Sequence, residues 1–135
     1  MKLQLMVIFF ILHSFMSITS AATPPFLIRS IETEQKVVAI TFDDGPKPKI
    51  TPKLIHILKK YKANASFFMV GENVEKFPKV AKLVLQQGHT IGNHTYGHVH
   101  MEEVSKDSLL KDIALSQVMF YEKLHILPRF FRPPY

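Results

Sequence analysis

The segment Lys36-Val-Val-Ala-Ile-Thr-Phe42 constrains the fold of this chain more than any other. It is apolar and β-branched, with no alternation of apolar and polar positions. A half-exposed strand would alternate. A run that does not suits a strand buried on both faces, as in a parallel sheet. It stops at Asp43-Asp44-Gly45-Pro46, a strong turn sequence.

The same logic continues along the chain. Thr51 is expected as an N-cap with Pro52 at the first helical position. Leu54, Ile55, Ile57, Leu58 and Tyr61 then recur at helical spacing. Ala65–Val70 predicts a second short strand closed by Gly71. A second helix runs from Pro78 to a stop at Gly88. His89–Asn93 predicts a third strand. Ser105–Leu124 predicts the longest helix, capped by Ser105 or Asp107. Its expected core stripe is Leu109, Leu110, Ile113, Ala114, Val118, Tyr121 and Leu124, with Gln117 at the margin. A fourth strand begins at Arg129–Tyr135. Strand and helix alternate throughout, which is α/β architecture with parallel βα repeats, an open doubly wound sheet or a (β/α) barrel. In both, chemistry gathers at the carboxyl ends of the strands.

The 135 residues are 47% hydrophobic and 21% charged, which allows one soluble domain at most. Residues 1–22 have a separate layout. Lys2 precedes an apolar run, and small residues end it at Ala21 and Ala22. That is the pattern of a secretory signal peptide, and the apolar core is shorter than the ~20 residues a bilayer span needs. Residues 23–35 are expected as a linker and residues 36–135 as the domain. Loss of Lys2 with the leader lowers the formal net charge of +6 by one. Mild basicity suits an exported or periplasmic protein near an anionic cell wall or polysaccharide. The lysines are scattered without an aromatic-basic stripe, so nothing points to nucleic acid. With no cysteine, stability must come from packing or a metal.

Three polar clusters fall at strand ends. Asp43 and Asp44 follow the first, His94, His98 and His100 the third, and Arg132 to Tyr135 the fourth. Taken singly, Asp-Gly-Pro is turn chemistry, paired histidines arise by chance, and an arginine is usually solvated. Together, a carboxylate and two imidazoles can supply a two-His, one-carboxylate metal site with positions open for water and substrate. Zinc suits these donors, as do other divalent ions. A spare aspartate beside such a site is a natural general base, and an arginine nearby can orient it.

"TFDDGP", "GHTIGNHTYGH" and "FRPPY", in this order, resemble the first three motifs of the polysaccharide deacetylase family, the NodB-like domain of carbohydrate esterase family four. The resemblance runs from about Lys36 to Tyr135. It implies that Asp43 is the catalytic base and that Asp44, His94 and His98 are metal ligands. It implies that Thr95 braces the histidine loop by hydrogen bonding and that Arg132 orients the base. Pro134 would line the substrate groove, and the Tyr135 backbone N–H would polarise the acetyl carbonyl. His89 and His100 match no ligand, and His100 reads as a loop residue. The implied reaction is metal-dependent deacetylation of an acetylated polysaccharide such as peptidoglycan, a chitin-like polymer or xylan. Two later family motifs, one supplying a general-acid histidine, have no counterpart up to Tyr135. The expectation is therefore the first half of a distorted (β/α) barrel. That half would be a fragment of an ordinary deacetylase, a weakly active metal- or glycan-binding chain, or a unit completed by another chain.

Overall fold

A computed structural model describes residues 31–135; the proposed signal peptide and most of the linker lie outside them. Three parallel strands form one sheet in the order β1-β2-β3: β1 Thr41–Gly45, β2 Ser66–Met69 and β3 Thr90–Asn93. The helices are α1 Thr51–Lys60, α2 Gly71–Lys76, α3 Pro78–Gln86 and α4 Lys106–Leu124. The register is continuous between β2 and β3, from Ser66 opposite Thr90 to Met69 opposite Asn93. Between β1 and β2 it breaks after Phe42, where the strand bends into its two aspartates. Phe67, Met69, Val74, Ala81, Val84, Ile91, Phe120 and Leu124 form the core between the sheet and its helices.

The βα order holds, but several local expectations do not. The apolar run is not a strand from Lys36. The strand starts at Thr41, and Val37 and Val38 are exposed. The Ile40 carbonyl still accepts from Ser66 N, but among the described residues nothing packs over the preceding side chains. Thr51 is inside α1 rather than its N-cap, which is Ile50. The Thr51 hydroxyl instead accepts from Lys47 N at 2.9 Å, closing the turn that feeds the helix. Sequence reading also missed α2, a short helix that begins at the glycine taken as a strand stop.

The long helix is capped by Ser105, whose side chain accepts from Ser108 N, as expected. Its expected stripe is mostly the wrong face. Leu110, Val118 and Tyr121 are exposed, and the buried positions are Ser116, Phe120 and Leu124. The cause is a close approach. A Cβ on Gly71 would lie 2.9 Å from Ser116 Oγ and 3.1 Å from its Cα, so only small residues let α2 and α4 meet here. Both faces of α4 carry apolar residues, and periodicity cannot distinguish them. The fourth strand is a single parallel bridge, Phe131 to Asn93. No described helix is long and apolar enough to cross a membrane.

Candidate metal and catalytic site

The polar clusters do meet at the carboxyl ends of the strands. Asp44 Oδ1 lies 2.9 Å from His98 Nε2 and 3.5 Å from His94 Nε2. The three ligand atoms fall within 4.8 Å of one another. Tetrahedral zinc with bonds of about 2.0–2.1 Å spaces its donors by roughly 3.4 Å, so the set fits that class of ion.

The tautomer of His94 strengthens the fit. Its Nδ1 stands 2.7 Å from the Arg132 carbonyl oxygen, which can only accept. Nδ1 therefore carries a proton, which leaves Nε2 as the ring atom that faces the carboxylate and could ligate an ion. His94 is buried while Asp44 and His98 stay partly open to solvent, so an ion held between them would keep positions free for water. A carbonyl behind a ligating imidazole is the usual outer support of a metal site.

Backbone order holds these side chains. Segment 130–132 is stitched to β3 by Asn93 N to Phe130 O at 2.8 Å and Arg132 N to Asn93 O at 3.0 Å. His94 N donates to Met69 O, and Gly71 N donates to Thr95 O. Asp44, Thr95 and His98 all have positive φ, at 64°, 65° and 56°. Left-handed backbone is uncommon outside glycine, above all for β-branched Thr95, and it persists only where the surroundings over-determine it.

Four supports were missed in the sequence. Asp112 on α4 accepts from Tyr96 N at 2.6 Å and from Gly97 N at 3.1 Å, pinning the histidine loop. The Asn93 side chain accepts from Thr95 N, and Ser116 donates to the Thr95 carbonyl. Asn73 Nδ2 donates to the Asp44 carbonyl. The one readable signal was Asp112 itself, an acid in a helix segment with Leu109 three residues before it and Ile113 directly after it. The expected Thr95 hydroxyl brace is not seen. Thr95 is fully buried, its Oγ1 has no partner among the described residues, and the brace runs through its backbone.

Arg132 Nη1 lies 2.8 Å from Asp43 Oδ1 and 3.0 Å from Thr41 Oγ1. Its guanidinium sits 4.1 Å above the Phe68 ring, a cation–π contact that fixes its plane. Gly92 makes this possible, because a Cβ there would fall 2.5 Å from the Phe68 ring. Pro134 is buried and, with Pro133, Tyr135, His100, Met101 and Glu102, lines an open groove on the side of the candidate site where Tyr135 meets His98.

Beside the ligand loop, Tyr96 donates its hydroxyl to Glu75 at 2.6 Å. That hydrogen bond, with burial and the charges of Glu75, Glu72 and Asp112, raises its pKa. His89 lies away from the site, at the other end of β3. It is buried against Phe67, and burial lowers its pKa.

The family model for polysaccharide deacetylase matches residues 30–135. The chain belongs to the polysaccharide deacetylase family. A peptidoglycan-N-acetylglucosamine deacetylase of Bacillus cereus is 45% identical over 104 residues, which are 77% of this chain and 48% of that protein. A chitooligosaccharide deacetylase of Azorhizobium caulinodans is 34% identical over 109 residues, 78% of this chain and 50% of that one. The solved peptidoglycan deacetylase PdaC of Bacillus subtilis superposes with a TM-score of 0.73 at 37% identity, over 78% of this chain and 52% of that chain. The chain thus spans about half the length of each of these deacetylases, and the partial (β/α) barrel is the fold they share with it.

Proposed function

We propose that this chain carries the metal-binding and base-bearing half of a secreted deacetylase acting on an N-acetylglucosamine-containing glycan. The observation that carries this reading is the pairing of two adjacent aspartates with different partners. Asp44 turns to the two imidazoles, and Asp43 turns to Arg132.

Asp44, His94 and His98 would hold a divalent ion, zinc by preference of the donor set. Bound there, it would act as a Lewis acid that lowers the pKa of water and polarises a carbonyl. The chain's own residues do the rest. Arg132 holds Asp43 Oδ1, which orients the carboxylate and leaves its second oxygen to take a proton from the attacking water. The Tyr135 N–H donates to the carbonyl oxygen as negative charge develops there. Pro134 shapes the groove that receives the sugar. Water adds to the acetyl carbon, the C–N bond breaks as the leaving nitrogen takes up a proton from solvent, and acetate and a free amine result.

The names of the relatives support the substrate class, and they differ among themselves in which glycan they act on. The layout of residues 1–22 supports work outside the cytoplasm, with residues 36–135 as the catalytic domain. Among the described residues β1 is an edge strand and one face of α4 is exposed and apolar, which suits completion by further βα units, whether of a longer protein or of another chain.

A second reading has its own support. No described residue is positioned as a proton donor to the leaving amine, so the chain by itself would bind metal and glycan with weak turnover. Acetate release from N-acetylglucosamine oligomers tests both readings. Turnover in the wild type that is lost in Asp43→Asn, with metal still bound, supports the deacetylase. Metal and glycan binding without acetate release supports the binding chain.

A further inference from the structure

The sequence assigns no task to His100, and the structure gives it a neighbour. Its ring stacks on that of Tyr135, with centroids 4.7 Å apart and planes inclined by 23°. A second aromatic neighbour of Tyr135 is His98, edge-on at 5.0 Å. Tyr135 needs such anchors. Its φ is +61°, a conformation its own backbone disfavours. His100 is itself well fixed, because its carbonyl accepts from Glu103 N at 3.0 Å and starts a tight turn. Its Nδ1 is buried without a hydrogen-bond partner among the described residues. The residue therefore contributes the flat face of its ring rather than that nitrogen.

We infer that His100 is a positioning residue that acts through Tyr135. Its ring clamps the Tyr135 side chain, and the clamp holds the left-handed backbone that aims the Tyr135 N–H at the acetyl oxygen. This rests on the reading of that N–H as the oxyanion donor. His98 also contacts the Tyr135 ring, so the proposed metal ligand and the proposed donor residue share one aromatic cluster. Edge-on and stacked ring pairs at these separations are favourable beyond simple burial. A donor misaligned by about an ångström loses a large part of its effect on the transition state.

The test uses His100→Ala and His100→Phe in the zinc-loaded protein. The first readout is the backbone order parameter of the Tyr135 amide. The second is kcat against KM for acetate release. Expected in His100→Ala is a drop of the order parameter from near 0.85 to below about 0.6. A roughly tenfold loss of kcat should accompany it, with KM and zinc affinity within about twofold. His100→Phe keeps a flat ring and should restore both. An unchanged Tyr135 order parameter in His100→Ala would overturn the inference, as would failure of His100→Phe to restore order. If the wild type releases no acetate, the deacetylase reading fails, while the order parameter still decides whether His100 clamps Tyr135.

Discussion

Arg132 reaches across 89 residues of sequence to put Nη1 2.8 Å from Asp43 Oδ1. The same residue accepts from His94 Nδ1 with its carbonyl. One residue thus orients the proposed base with its side chain and a proposed metal ligand with its backbone. The two roles are separable, because a side-chain substitution leaves the carbonyl in place. Arg132→Leu should lower turnover by about 10²-fold, the scale of a misplaced catalytic group, while zinc affinity stays within a few-fold. Steady-state kinetics beside a zinc titration check this. A parallel loss of zinc would mean that the guanidinium, not the carbonyl, holds the ligand site.

Asp112 is not one of the three proposed ligands, yet it accepts from two amides of the loop that carries His94 and His98. Asp112→Ala should destabilise the fold by about 1–2 kcal/mol through the unpaired amides. It should also weaken zinc binding about 10–100-fold, as loss of outer support does elsewhere. Denaturant unfolding and chelator competition read the two effects separately.

Gly92 ties packing to catalysis. A methyl group there meets the Phe68 ring, and Phe68 underlies the Arg132 guanidinium. Gly92→Ala should cost about 1–3 kcal/mol of stability from overpacking. Because the displaced ring carries Arg132 with it, turnover should fall as well. Alanine at Gly88, whose Cβ would meet nothing within 4 Å, should leave turnover unchanged. Any cost there comes from its φ of +78°.

Burial of His89 makes stability depend on pH. Its folded pKa lies below the ordinary value of 6.5, so between the two the unfolded chain binds more protons. Stability is therefore full above about pH 6.5 and is lost as pH falls toward the lowered folded value. Replacement by phenylalanine removes this component. Denaturant unfolding between pH 7.5 and 5 should give a flatter profile for His89→Phe than for the wild type. Parallel profiles would contradict the desolvated histidine.

Much of this was legible in residue order. The strand–helix alternation, the Ser105 cap and the stop at Gly88 follow from local chemistry, and local chemistry does not need the rest of the chain. The meeting of Asp44 with His94 and His98 was also foreseeable, because parallel strands carry their C-terminal loops to one end of the sheet. Contact-dependent features were not legible. Ser116 faces the core because Gly71 needs a small neighbour, and no periodicity in α4 reports that. Val37 and Val38 are as apolar as a buried strand, yet nothing described covers them. Asp112 binds two amides about fifteen residues away, a pairing that only the folded loop creates.

The measurement to make first is a zinc titration of the wild type, His94→Ala and His98→Ala against a chromogenic chelator, with circular dichroism confirming that each is folded. Expected is one tightly bound zinc in the wild type and a loss of at least about 10²-fold in affinity in either folded variant. Zinc bound equally well by the wild type and both variants would contradict a centre built from Asp44, His94 and His98.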